Sequence, residues 1–269
     1  MTSGSAARAN RKLPELATMP RVVGIIGGMG PEATLDLMRR VLAKTPAQDD
    51  QDHIHLIVES NPKIPSRIAH LIEKTGADPT LELVRIARNL ERAGAEALAI
   101  PCNTAHAYAP SIRRAVSIPL LDMVQLTVDQ ISSSPIPSAH IASSPTAGAQ
   151  RVQRVGLLAS SAVLATELYA KAFADHGIAV VHPARQDDVM ALIRAVKRGE
   201  TGLDIQAALG RTALDLANHV DVLLVGCSEL SVISAGITAP FVDSLDVQAQ
   251  AIVNFAGKTS VAQSPVAPS

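Results

Sequence analysis

Cys102 and Cys227 are the only two cysteines of the 269-residue chain, and each ends a short aliphatic run and precedes small polar residues, in LAIPCNT (98–104) and LLVGCSE (223–229). Thiols facing each other across a cleft suit one reaction in particular. One thiolate removes a proton from one face of a carbon, the other thiol returns a proton on the opposite face, and the roles exchange in the reverse direction. A thiol becomes a competent base when a helix start or nearby donors lower its pKa, and Asn103-Thr104 and Ser228-Glu229 stand where such helices would begin. To straddle a carbon with contacts of about 3–3.5 Å, the sulfurs must sit well beyond disulfide distance. A single cysteine is most often a small buried hydrophobe. Two in equivalent positions are better explained by function.

That equivalence rests on an internal repeat. RVVGIIG (21–27), LAIPCNT (98–104) and PLLD (119–122) in the first half answer RVGLLA (154–159), LLVGCSE (223–229) and PFVD (240–243) in the second, at similar separations. Strands are expected over 22–26, 54–59, 97–100, 119–121, 155–158, 179–181, 222–225 and 241–242, because these runs are short, apolar and bounded by Gly, Pro or Asp. Helical periodicity fills 33–44, 80–93, 111–115, 163–176, 187–197 and 204–218. The alternation predicts an α/β protein: two similar parallel-sheet α/β domains related by pseudo-twofold symmetry, with a site in the cleft between them. Each cysteine then lies just past the C-terminal end of a strand, where ligands bind in open parallel sheets.

Composition excludes other classes. With 24 basic against 25 acidic residues the net charge is -1, which offers no footprint for nucleic acid or an anionic membrane, and aromatics at 2% give no platform for stacking bases. No apolar run approaches the ~18 residues of a spanning helix. Two cysteines make no disulfide framework, so a cytoplasmic location is expected. Residues 1–20 read as a disordered extension, with a transit-like leader as the alternative. Residues 132–150, rich in Ser, Pro and Ala, read as a linker or surface insertion, and 258–269 as a flexible tail.

Four segments together carry a family resemblance: GIIGGMGPEAT (24–34), SNPKIP (60–65) with Arg67, PCNTAH (101–106) and GCSEL (226–230). Over about 21–257 the chain resembles the aspartate/glutamate racemase superfamily, in particular its cofactor-independent aspartate racemase branch. The resemblance implies pyridoxal-independent racemisation of an amino acid, with Cys102 and Cys227 as the acid/base pair, no cofactor or metal, and a homodimer. It also implies a first domain of 21–121 plus 238–257 and a second of 122–237. Asn103 and Thr104 would bind the substrate carboxylate, with Ser228, where the family usually has Thr, and Glu229 in the equivalent place on the second wall. Arg67 and Lys197 would hold a second carboxylate, Arg198 being a rival to Lys197, and Met29 would lie in the glycine turn lining the cleft. Read without the family, Arg67 is a solvent-facing loop charge and Lys197 a helix-end lysine favoured by the dipole.

Other readings stay open at this level. His106, four residues beyond Cys102, could tune the thiolate or simply pack near the helix start. GMGPEA (28–33) matches a G-x-G-x-x-A dinucleotide fingerprint with Glu59 as the ribose acid, but Pro31 lacks an amide donor and Glu59 lies too far along. His53 and His55 share a strand face without further ligands at zinc spacing. After Pro65 the chain reads Ser66-Arg67-Ile68 where the family has Asp-Arg-Thr, and GLLASSAV (156–163) replaces a hydroxyl-richer pattern, so a broader or different side-chain pocket, rather than strict aspartate specificity, is expected. A maleate isomerase, a hydantoin racemase, a nicotinamide-dependent oxidoreductase and a non-catalytic amino-acid sensor are the alternatives.

Overall fold

The computed structural model describes residues 20–133 and 151–257. The expected tail, the extension up to residue 19, and 134–150 of the expected insertion lie outside the described residues.

The first unit runs β1 (Val23–Gly27), α1 (Pro31–Lys44), β2 (Leu56–Ser60), α2 (Thr80–Arg92), β3 (Ala97–Ala99), α3 (Ala109–Ala115) and β4 (Leu120–Leu121), followed by α4 (Met123–Ser133). The second runs β5 (Arg154–Leu158), α5 (Ser161–Thr166), α6 (Leu168–Ala174), β6 (Ala179–Val181), α7 (Gln186–Lys197), α8 (Leu203–Ala217), β7 (Val222–Val225), α9 (Ser228–Val232) and β8 (Phe241–Asp243), followed by α10 (Ser244–Ala256). All strand pairs are parallel, in the orders β2-β1-β3-β4 and β6-β5-β7-β8. Identical order in both sheets is the structural counterpart of the sequence repeat. Gly24 pairs in register with Leu98, and Gly156 with Leu223.

The helices follow from local chemistry. Pro31 opens α1, where a missing N–H costs nothing, and Ala33, Thr34, Leu37 and Val41 face inward. In α2, Leu83, Ile86, Ala87 and Leu90 form one buried stripe at helical spacing. The expected single helix over 163–176 is two, because Glu167 takes a left-handed conformation (φ 55) that ends α5 before α6 begins.

Two helices absent from the sequence expectation, α4 and α10, exchange places. α4 follows the first sheet but packs Val124, Val128 and Ile131 into the core of the second, with Val155, Leu157, Tyr169 and Phe173. α10 follows the second sheet but packs Leu245, Ala249 and Ile252 into the core of the first, with Val23, Ile25, Leu37 and Val41. Since β8 pairs with β7, the chain leaves the second sheet after Asp243, not at 238. Asp243 itself starts α10 by accepting from the Leu245 N–H. Each unit is thus closed by a helix from the other half, which fixes the two sets of strand ends relative to one another.

Candidate active site

The loops beyond β1, β2, β3, β5 and β7 and the C-terminal end of α7 enclose a cavity of about 660 Å³ whose lining includes both Cys102 and Cys227. Each cysteine has extended backbone just past its strand and caps a short helical segment: Cys102 the 3-10 turn Asn103–Tyr108, Cys227 the five-residue α9. Both are nearly buried, at 7% and 5% exposure. Both are free thiols.

Their surroundings differ. The Cys227 thiol donates to Glu229 Oε2 at 3.2 Å, and Glu229 Oε1 accepts from Lys197 Nζ in a close ion pair. Burial pushes the Cys227 pKa well above its ordinary value of 9.0, the Glu229 carboxylate pushes it further through charge and hydrogen bond, and Lys197 opposes both only partly. The expectation that a helix start lowers this thiol is overridden: α9 is too short for its dipole to outweigh burial and a carboxylate. For Lys197, burial works against the charge, but Glu229 outweighs it and the ammonium is held above its usual value.

On the facing wall the polar partner is a histidine, and it points away from the thiol. His106 Nδ1–H donates to the Cys102 carbonyl at 3.0 Å, while Nε2 accepts from the Met123 N–H at 3.1 Å. The backbone donor at Nε2 sets the tautomer and leaves no nitrogen for Cys102 Sγ. Of the two open readings of His106, the geometry matches packing near the helix start. Burial lowers its pKa below 6.5, so the folded state binds the neutral ring and the unfolded chain takes up the proton first. That contribution is present above pH 6.5 and lost as pH falls through the depressed folded value. Thermal unfolding of the wild type should therefore soften in acid, and His106→Gln should lose much of that acid dependence while its denaturation midpoint drops.

The other expected site residues divide into two groups. Met29, Arg67, Thr104, Lys197 and Glu229 line the cavity with the two cysteines. Asn103 and Ser228 do not: they lie behind it, 2% and 1% exposed. Asn103 Nδ2 donates to Ser244 Oγ at 3.1 Å and Ser228 Oγ at 3.4 Å, and its Oδ1 accepts from the Tyr169 hydroxyl at 2.5 Å. Side chains so fully committed to protein partners cross-link the two units instead of facing a ligand. Arg67 forms no ion pair among the described residues; its Nη1 donates to the Pro65 carbonyl at 3.1 Å, and its Nε is buried without a partner. Arg198 reaches the rim but is paired with Glu200.

Sequence reasoning missed Ser160 and the apolar wall. Ser160 caps α5, lines the cavity, and exchanges a hydrogen bond with Thr104 across it at 3.3 Å. The repeat held the signal, since Ser160 follows β5 as Gly28 follows β1. Ile64, Ile68, Ile193 and Val196 supply aliphatic lining. Gly28 has φ +91, and a Cβ there would stand 2.4 Å from the Asn61 carbonyl carbon, so the β1 loop approaches the next strand end as only glycine allows. Glu59, the acid of the dinucleotide reading, is held by Arg85 and Asn89 on α2 and is not among the cavity residues.

A family model described as Asp/Glu/Hydantoin racemase matches residues 26–252. The chain is 26% identical over 240 residues to the broad specificity amino-acid racemase RacX of Bacillus subtilis (strain 168), covering 87% of this chain and 97% of that protein. Its fold is similar to the solved structure of Picrophilus torridus aspartate racemase, with TM-score 0.76 and 29% identity over 88% of this chain and 94% of that one. The fold of a putative Asp/Glu racemase from Yersinia pestis is also similar, with TM-score 0.66 at 23% identity over 88% of this chain and 100% of that one.

Proposed function

The chain belongs to the Asp/Glu/hydantoin racemase family, and on that premise we propose that this isomerase interconverts amino-acid enantiomers by passing the α-proton between Cys102 and Cys227. The observation that carries the reading is that both cysteines of the chain line one cavity. In the arrangement described, Cys227 is the proton donor, because Glu229 and burial keep its thiol protonated. Cys102 is the base for the same direction, and the reverse direction exchanges the two roles.

As the α-proton leaves, charge moves onto the substrate carboxylate, and donors already aimed at it lower the barrier most. The Thr104 and Ser160 hydroxyls are the candidates, being the polar groups that meet across the cavity. Arg67 is a bidentate donor without a carboxylate partner, which suits a second carboxylate as in aspartate or glutamate. Lys197 is already neutralised by Glu229, so among the described residues a dicarboxylate meets one unpaired cation in the cavity, Arg67, not the two implied by resemblance. The aliphatic wall of Ile64, Ile68, Ile193 and Val196 also admits uncharged side chains, in keeping with the broad specificity in the name of the Bacillus subtilis relative.

Incubation with single enantiomers of a panel of amino acids in heavy water tests this. Deuterium should appear at Cα of the product enantiomer for at least one of them, aspartate or glutamate first. Absence of α-exchange across the whole panel would overturn the reading.

A further inference from the structure

The acid–base chemistry needs Cys227 held still, yet the helix it caps has five residues. So short a helix is not stable by its own hydrogen bonds, and its last carbonyls have no partner within it. The Ile233 N–H and the Ser234 hydroxyl just beyond it cap the Leu230 and Ser231 carbonyls, and the first unit adds a charged donor. Arg40 of α1 donates from Nη2 to the Ser231 carbonyl at 2.9 Å, from Nη1 to Asp243 Oδ2 at 2.8 Å and from Nε to Asp36 Oδ2 at 2.9 Å. Ser231 closes the triangle by donating from Oγ to Asp243 Oδ1 at 2.6 Å. Asp243 is nearly buried, and a charge there is tolerable only while it is paired and hydrogen-bonded.

The rod that presents Arg40 is also tied to the cavity at its other end. α1 starts at the glycine loop, and a Cβ on Gly30 would stand 3.7 Å from Glu229 Oε1. The turn before α1 thus lies beside the carboxylate next to Cys227, and Arg40 near its other end reaches the end of α9. Cys102 is held by a separate device, the His106 bond to its carbonyl.

We propose that Arg40 is a positioning residue that, with Asp243 and Ser231, clamps α9 to α1 and so sets where Cys227 and Glu229 stand in the cavity. The use made of Cys227 rests on the racemase reading; the clamp does not. The full-length enzyme, labelled with iodoacetamide and analysed peptide by peptide, provides the test. Arg40→Lys keeps a charge but cannot bridge the Asp243 carboxylate and the Ser231 carbonyl together, so Cys227 should label about tenfold faster, the scale of losing a charge-assisted hydrogen bond. Cys102 should stay within about twofold of wild type, as its support is independent. Ser231→Ala, a milder change in case Arg40→Lys folds poorly, should shift Cys227 in the same direction by less. Unchanged Cys227 labelling in both variants, or both thiols accelerating together in Ser231→Ala, overturns the clamp. If the wild type exchanges no α-proton while selective labelling is seen, the racemase reading fails and the clamp stands.

Discussion

Replacing Cys102 with alanine should lower racemisation by about a thousandfold or more, the range of a lost general acid–base group, while leaving the protein folded. The two halves of that expectation have separate causes. Among the described residues, His106, the nearest titratable neighbour of Cys102 in sequence, cannot replace the thiol, because both its nitrogens are committed to backbone. The stability cost is small because one sulfur is removed from a residue at the cavity surface, roughly 1–2 kcal/mol at most on the scale of truncated side chains. Cys227→Ala should behave alike, since neither direction of the reaction runs with one proton carrier. The measurement is loss of optical rotation, or α-deuterium in the product enantiomer, beside a thermal melt. A Cys102→Ala enzyme that racemises at the wild-type rate would contradict the two-thiol mechanism.

Neutralising Glu229 has the second large effect, and its sign is determined. The carboxylate raises the Cys227 pKa by charge and by accepting its proton in a hydrogen bond. Glu229→Gln removes the charge, leaves burial, and exposes the thiol to an unpaired Lys197, so the pKa must fall. Thiolate formation followed by alkylation rate against pH should move to lower pH, with labelling of Cys227 at fixed pH up by about tenfold for each pKa unit. The broken ion pair costs stability as well. Breaking a buried pair costs about 3–5 kcal/mol, but Lys197 is 40% exposed at its side chain, and water reduces this to about 1–2 kcal/mol. If Cys227 is the proton donor, as proposed, turnover should drop because its proton is no longer kept on sulfur at neutral pH. A titration of Cys227 moving to higher pH in Glu229→Gln would show instead that Glu229 acts mainly by holding Lys197 against this thiol.

Legibility from sequence followed the physics of each feature. The sheets were readable because buried parallel strands are short aliphatic runs between turn residues, and the two halves repeat them. α4 and α10 went unread although Val124, Val128 and Ile131, and Leu245, Ala249 and Ile252, fall at helical spacing, because the buried polar Thr127 and Gln248 dilute each stripe; that each packs on the core of the other half is a property of the fold, not of the pattern. Cys102, Cys227, Arg67, Lys197, Thr104, Glu229 and Met29 converge on one cavity, since all sit at strand ends, helix ends or the loops between. Asn103 and Ser228 stand beside the cysteines in sequence, but the turn carries their side chains to the far side of the wall. Proximity in sequence says which loop a residue occupies and not which way it points. The Lys197–Glu229 pair was illegible for a similar reason: spacing names candidates, and only the fold decides that two of them neutralise each other.

The unlike surroundings of the two thiols carry a thermodynamic consequence. Mirror-image amino acids free in water have equal energy, so their equilibrium ratio is unity whatever catalyst relates them, and kcat/KM must be the same for both hands. A carboxylate beside Cys227 and none hydrogen-bonded to Cys102 cannot, therefore, enrich either enantiomer. Under the proposed two-thiol mechanism it changes how each equal quotient divides: the hand whose proton Cys227 must take finds that thiol held protonated and turns over slowly, which a proportionally lower KM must offset. The resting protonation of the free protein is biased too, so at saturating concentrations of one hand the thiol pair is left in the form suited to the other. In that mechanism the asymmetric cleft should read out as a kinetic preference for one direction at high concentration that disappears at low concentration.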